Sequence, residues 1–493
     1  MAGVDVVVAV VVSGLMWFAS SGIYHVWPLA WLAPVPLLIV LPELGPGRAA
    51  LAAFVAAAGG AAGFVVAYWS ALPPGMLALL LVAVAAPWTV VAVVWRVIAR
   101  RTGPVVTALA WAALVPLAEY LVARVSPNGT FGSLAYTQAS VLAIIQLASV
   151  TGIRGISFVV SLGSATLAVM WRSRDSRSAR EAAFGVAAVV VAATLVYGDL
   201  RLAAPSPSAI VRVGLAAADT TNRPFAENAR DALRVARGYA ARVAALAPRG
   251  LQYVVLPEKF VAVRPPDDYG VRVVLAGVAR RYRVTVVAGL NAIGQTPPHN
   301  FATVFGPDGL TVLDYDKVHL VPGLEDGYYK GGTPGLLPDT AVAAGVAICK
   351  DLDFVPTGLA YARAGVGLVL VPAWDFGADG WLHSRMAVLR GVEGGYAVAR
   401  AATDGLLTVS DARGRIVAER SSRDASEVLV SAGVRVAPGG TIYSRSGDWF
   451  AALCLLVVVL AALAARRRGV AEGDAAGGSA GQRTTQDRQR LPR

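Results

Sequence analysis

Cysteine, histidine and charge are all scarce in this sequence. Two cysteines and four histidines occur in 493 residues. Cys349 and Cys454 form no CxxC pair, so nothing supports a four-ligand zinc set or a disulfide framework. Charged residues make up 15% of the chain and hydrophobic ones 56%, whereas a water-soluble domain carries nearer ~25% charge. Much of the chain must therefore be solvated by something other than water. The net charge of +12 does not indicate nucleic acid, because the arginines gather beside apolar segments and no basic helix or finger pattern accompanies them.

What the chain has instead is long apolar runs, over residues 4–23, 26–41, 49–72, 76–98, 105–123, 141–171 (containing one span) and 182–197. Most approach the ~20 residues a helix needs to cross a ~30 Å hydrocarbon layer, the second and seventh being short. Residues 1–200 are thus predicted to form a seven-span transmembrane domain. The first run has Asp5 where a signal peptide has basic residues, and six more runs follow it. An eighth span is predicted over 448–468, and the tail 469–493, nearly free of apolar residues, is expected to be disordered. Arg48, the group Arg96, Arg100 and Arg101, the cluster from Arg172 to Arg180, and Arg466 to Arg468 all fall on one side of this arrangement. The positive-inside rule makes that side cytoplasmic, with both termini and the tail there and the soluble domain outside the plasma membrane. Glu119, inside the fifth run, needs a polar partner or a place near the headgroups. Pro34, Pro36, Pro73, Pro74, Pro87 and Pro116 suggest broken or kinked helix ends.

Residues 201–447 differ in kind, with charged turns between short Val-rich stretches. Strands are predicted over 210–217, 253–256, 284–290, 300–305, 311–314, 342–348, 367–371 and 396–399, and helices over 225–246, 271–281, 358–364 and 383–392. Alternation interrupted by hairpins predicts a layered α/β sandwich, not a purely parallel sheet.

Three residues stand just beyond predicted strand ends, where α/β sheets build clefts: Glu258 after YVVLP, Lys317 after LDYD and Cys349 after VAI. A thiolate attacks acyl carbon, a carboxylate can take the thiol proton, and a lysine can hold the oxyanion, with the Lys350 N–H as a second donor. A small core cysteine with solvated Glu and Lys is the plainer account of the same spacing. A Cys/His pair using His319 or His383 is a further alternative.

These residues lie in motifs that resemble the carbon-nitrogen hydrolase (nitrilase) superfamily. YDKVHLVPGLE (315–325) is close to YDKxHLVPFGE of that family, VVLPE ends at Glu258 and GVAIC ends at Cys349. PAWDFG (372–377) and RAATDG (400–405) are also similar, and together with the spans they resemble the apolipoprotein N-acyltransferase family from the first span to Arg468. The resemblance implies a polytopic α-helical membrane domain plus an αββα sandwich over 201–447. It implies a catalytic triad of Glu258, Lys317 and Cys349, with Glu325 and Asp351 as positioning acids. Lys350-Asp351 replaces Tyr-Glu, and Val371-Pro372 replaces Ser-Asn; a Lys350 cation beside the thiolate is expected to lower its pKa. Tyr328, Tyr329, Trp374, Phe376 and Trp381 are candidates for an apolar substrate rim.

The implied reaction is ping-pong acyl transfer from a phospholipid donor, through a Cys349 thioester, to the N-terminal diacylglyceryl-cysteine of a lipoprotein. It requires neither metal nor organic cofactor, and a monomer suffices. A membrane-tethered amidase, an acyltransferase with another amine acceptor, and a non-catalytic acyl-chain-binding module are the alternatives.

Overall fold

The structure is a computed structural model that describes residues 5–205, 208–218, 228–265, 268–338 and 342–488, with side chains to Arg468. Its first part is a helical bundle: α1 (Val6–Ser20), α2 (Leu29–Leu32), α3 (Val35–Val40), α4 (Pro46–Tyr68), α5 (Pro74–Ala99), α6 (Pro104–Val125), α7 (Leu142–Ile145), α8 (Ala148–Thr151), α9 (Ile153–Arg172) and α10 (Arg177–Ala203). Prolines open α4, α5 and α6, where a missing N–H costs nothing. Among the described residues six helices are long and apolar enough to cross a membrane: α4, α5, α6, α9, α10 and the first 20 residues of α16 (Trp449–Arg488). The first two predicted spans are shorter than expected. α1 has 15 residues, and the second run breaks at Pro34 into α2, α3 and a 3₁₀ turn. The helix after the soluble domain continues to Arg488, where disorder was expected from 469; nothing in the glycine-containing sequence of 469–488 explains that continuation.

The soluble part contains α11 (Ala229–Leu246), α12 (Tyr269–Tyr282), α13 (Val355–Arg363), α14 (Gly380–Gly394) and α15 (Ile442–Ser446). Its strands are β1 (Ala209–Ala218), β2 (Tyr253–Val255), β3 (Val261–Val263), β4 (Thr285–Ala292), β5 (His299–Phe305), β6 (Thr311–Asp316), β7 (Gly335–Leu336), β8 (Ala344–Val346), β9 (Leu368–Trp374), β10 (Ala397–Thr403), β11 (Leu406–Ser410), β12 (Ile416–Ser421) and β13 (Glu427–Val436). One mixed sheet runs β13-β1-β2-β4-β5-β6 with β3 beside β4, and the other runs β12-β11-β10-β9-β8-β7. Val213, Val255 and Val287 of the first face Val346, Leu370 and Ala399 of the second across a dry core. α11 and α12 cover the outer face of the first sheet, and side chains from α13 and α14 cover that of the second. This is the expected αββα sandwich. β3 and β7 are too short to show a period of two, β12 and β13 carry charge on their open faces, and β11 is a short uncharged run, so the sequence reading stopped short of them. Residues 225–227 of the predicted first helix lie outside the described residues; α11 begins behind Asn228, whose Oδ1 accepts from Asp231 N–H at 3.0 Å.

The sandwich sits on one end of the bundle. Tyr68 at the end of α4 donates to Asp379 Oδ2 (2.6 Å), the Ile153 N–H opening α9 donates to Glu393 Oε1 (2.8 Å), and Arg415 donates to Leu202 O near the end of α10 (2.7 Å). Arg390 is the largest buried cation at this junction: it pairs with Glu393 and donates to Leu352 O (3.0 Å), Thr130 Oγ1 (3.0 Å) and Tyr136 Oη (3.3 Å). Taking away one half of such a pair leaves a buried charge uncompensated. Arg390→Met is therefore expected to destabilise the protein by about 3–5 kcal/mol, read as a lowered midpoint of thermal denaturation in detergent micelles.

Candidate active site

A cluster of four charged side chains closes one end of the sandwich. Glu258 follows β2, Lys317 follows β6 and Glu325 lies on the loop beyond it. Gly289 on the neighbouring β4 makes room, since a Cβ there would stand 2.6 Å from the Cα of Glu258. Lys317 Nζ donates to Glu258 Oε1 (2.8 Å) and Glu325 Oε2 (3.0 Å), and Asn300 of β5 donates Nδ2 to the same Glu258 oxygen (2.6 Å) and to Glu325 Oε1 (2.8 Å). Lys259 pairs with Glu325 from the other side, and the Val321 N–H donates to it at 2.8 Å. All but Lys259 are almost fully buried. Burial opposes the charge on Lys317, but Glu258 and Glu325 outweigh it and raise the lysine's pKa. Burial likewise disfavours the Glu325 carboxylate, yet Lys317 and then Lys259 hold it down to about 2.

Cys349 begins the turn after β8 with φ of 44°, left-handed backbone that a non-glycine residue seldom adopts. Its thiol reaches Trp374 O (3.5 Å), and the amide of Glu258 donates to Ala373 O (3.2 Å), so both residues are hung on the end of β9. The turn is pinned by Asp351. Its Oδ2 accepts from Ile348 N–H (2.9 Å) and Tyr315 O–H (2.8 Å), and its Oδ1 accepts from the N–H groups of Val318 (3.1 Å) and His319 (2.8 Å). One carboxylate thus fixes the cysteine turn against the lysine loop.

The expectation for Lys350 needs correction. Its ammonium turns away to Asn128 Oδ1 in the helical bundle (2.6 Å), and burial lowers its own pKa to about 8. Cys349 is pushed well above an ordinary thiol, by burial first and the Glu258 carboxylate next, with Lys317 opposing. Neither histidine bonds to the thiol among the described residues. His319 stacks on Phe354 (3.7 Å between centroids), and His383 lies between Asp379 (3.2 Å) and Asp353 (3.7 Å).

The aromatic candidates separate into two groups. Phe376 packs edge-on against Tyr68 of α4 (5.7 Å), and Trp381 stacks on His25 (4.3 Å), both at the bundle; Trp374, half-buried, precedes them on β9. Tyr328 lies under Lys259 (4.3 Å) and Tyr329 stacks on His299 (4.6 Å), on the loop that carries Glu325. Sequence reasoning missed Asn300, Lys259 and the buried pair Asp375–Arg400, in which Nη1 donates to Oδ2 at 2.8 Å. A polar Asn300 inside the apolar run of β5 was the available signal. No group of three or more His, Cys, Asp or Glu able to hold a metal occurs among the described residues.

Two family profiles match the chain in tandem: the apolipoprotein N-acyltransferase N-terminal domain over residues 13–166 and carbon-nitrogen hydrolase over residues 212–435. The apolipoprotein N-acyltransferase of Geobacter metallireducens is 28% identical over 93% of this chain and 95% of its own length. That of Gloeobacter violaceus is 28% identical over 69% of each. Omega-amidase NIT2 of Xenopus tropicalis is 27% identical over 26% of this chain and 52% of its own.

Two measurements follow from the electrostatics. A carboxylate with a folded pKa below its unfolded value stabilises the fold above the unfolded value. Glu325 therefore loses its contribution as pH falls from its ordinary 4.5 through about 2. Acid unfolding followed by circular dichroism should be less steep in that window for Glu325→Gln than for wild type. Separately, the pH midpoint of Cys349 alkylation by iodoacetamide should fall in Glu258→Gln and stay in place in Lys350→Met.

Proposed function

The chain belongs to the apolipoprotein N-acyltransferase family of the carbon-nitrogen hydrolase superfamily, and on that premise we propose that it moves a fatty acyl chain from a phospholipid to the α-amino group of a diacylglyceryl-cysteine lipoprotein. The observation that carries this reading is the 2.8 Å Lys317–Glu258 contact beside a strained cysteine turn, on the face of the sandwich that meets the bundle. Glu258 takes the Cys349 proton and the thiolate attacks an ester carbonyl carbon. Lys317 and the Lys350 N–H hold the oxyanion; the C–O bond to glycerol breaks, and the leaving alkoxide takes the proton back from Glu258. The lipoprotein amine then attacks the thioester carbonyl and gives its proton to Glu258; the C–S bond breaks as the amide forms, and Glu258 returns the proton to the Cys349 sulfur. A thiol pushed above its usual pKa makes the reaction depend on Glu258 for the thiolate. Glu325 and Asp351 act as positioning residues. Phe376 and Trp381, packed against the bundle, form the rim on its side, and Tyr328 and Tyr329 form the rim on the Glu325 loop.

The soluble domain is placed outside the plasma membrane. Arg48, Arg100 and Arg101, the Arg172 to Arg180 cluster and Arg466 to Arg468 belong to the ends of α4, α5, α9, α10 and α16 opposite those that touch the sandwich, which supports a cytoplasmic position for them. A donor lipid and a lipid-anchored acceptor both reach a site at that height. The Lys350–Asn128 contact, where relatives of this family carry tyrosine, favours one second reading: the same acyl-enzyme discharged by another amine or by water.

Intact-mass spectrometry of the protein in phospholipid micelles tests both steps. Wild type should gain the mass of one acyl chain, Cys349→Ala none, and Glu258→Gln should acylate roughly 10²- to 10⁴-fold more slowly. A diacylated lipopeptide should discharge the adduct and become N-acylated. An adduct that the lipopeptide leaves untouched selects the second reading, and no adduct with any phospholipid overturns both.

A further inference from the structure

Beneath the loop that follows α6 lies a cavity of ≈ 80 Å³. Its walls are apolar side chains of α5 and α6, among them Trp88, Val91, Val115 and Ala118; residues 129–133 cover it, and Glu119 and Arg154 lie at its base. The nucleophile cluster takes no part in it. Glu119, the intramembrane acid of the sequence, is well supplied with donors: Leu134 N–H to Oε1 (2.6 Å), and the hydroxyls of Ser133 (2.9 Å) and Ser157 (2.7 Å) to Oε2. Arg154 is not. It is 2% exposed, and its one hydrogen bond among the described residues is Nη1 to Glu119 Oε2 at 3.4 Å. A guanidinium has five N–H donors in a planar fork, and burying most of them unpaired is costly. The unspent donors sit at an apolar cavity.

The depth of the cavity defines what can fill it. Arg154 is the second residue of α9, and the residue before it bonds Glu393 of the soluble domain, so the guanidinium lies at the end of the bundle that carries the sandwich. Away from that end the neighbouring surface of α5 is apolar and exposed, at Val82, Val90 and Val94. A planar fork at headgroup height, with a hydrocarbon-like flank below, matches an amphiphile with a tetrahedral anion.

We propose that this cavity binds one glycerophospholipid by its phosphodiester, paired with Arg154, with the acyl chains lying along the outer surface of α5. Bound there, the lipid braces residues 129–133 from below. Thr130 in that loop donates its N–H (3.0 Å) and hydroxyl (2.7 Å) to Asp353 O, in the turn that Cys349 begins. None of Glu258, Lys317 and Cys349 lines the cavity, and the proposal does not depend on the acyl-transfer reading.

Native mass spectrometry of the full chain tests it, in a Cys349→Ala background so that no lipid is consumed. Delipidated protein is titrated with dioleoylphosphatidylglycerol or with dioleoylglycerol, which has the same chains and no phosphate. The parent should retain one phospholipid more than either Arg154→Gln or Ala118→Trp, the second filling the cavity while keeping the ion pair. Binding at that site should weaken about tenfold or more on loss of the guanidinium. Dioleoylglycerol should not occupy the site. Equal retention of dioleoylglycerol, or phospholipid stoichiometry unchanged in both variants, overturns the proposal. Should Arg154→Gln fail to fold, Ala118→Trp and the two-lipid comparison decide. A Cys349 protein that fails to acylate yet retains this lipid counts against the acyl-transfer reading and not against this site.

Discussion

Two carboxylates and one ammonium group are buried together at the end of the sandwich with a second, half-buried ammonium at their edge, and the charges sum to zero: Glu258 and Glu325 against Lys317 and Lys259. The rest of the site depends on that balance. Removing any member leaves an odd charge in a place where water cannot compensate it, which costs several kcal/mol. The cluster also sets the chemistry available. Lys317, shared between two carboxylates, stays a cation, so it is suited to holding negative charge and not to taking a proton. Glu258 shares one oxygen between Lys317 and Asn300. Burial first, and the Glu258 carboxylate second, hold the cysteine thiol above its usual pKa.

The cysteine turn is fixed from two directions. Asp351 ties it to β6 and the lysine loop by three hydrogen bonds, from Tyr315, Val318 and His319, while Lys350, Asp353 and Arg390 tie it to the bundle through Asn128, Thr130 and Tyr136. Strained backbone at Cys349 persists because both sides are held. The adjoining strand end has its own support in the Asp375–Arg400 pair, which fits because Gly405 lacks a Cβ; one there would stand 1.8 Å from Asp375 Oδ2.

Much of this was legible in the sequence because it is written in short periods. Apolar run lengths marked the bundle, alternation in Val-rich segments marked eight of the strands, and Glu258, Lys317 and Cys349 were marked by their place after strand ends. What was not legible is long-range. Nothing in the neighbourhood of Lys350 indicates that its side chain crosses to Asn128, more than 200 residues earlier, and the expectation of a lowered thiol pKa failed for that reason. Proximity in sequence had been taken for proximity of charge. The second apolar run is interrupted for a local reason, because hydropathy does not register the break that Pro34 imposes on a short helix.

The strand that leads into the sandwich and the one that leads out are neighbours, Ala209 opposite Val436 in a ten-residue antiparallel ladder. The two backbone connections to the membrane helices therefore leave the domain within about one strand spacing of each other, ~5 Å. Mechanically they act as a single pivot. Covalent structure leaves the soluble domain free to swing about that point, and what fixes its attitude is side-chain contact: Leu382, Met386, Leu389 and Val392 packed against Phe64, Ile145 and Ile156 of the bundle, with hydrogen bonds such as Tyr68 on Asp379 and Lys350 on Asn128 around them. The orientation of the domain toward the membrane helices is thus set by packed side chains at one face and not by the two points where the chain passes between them.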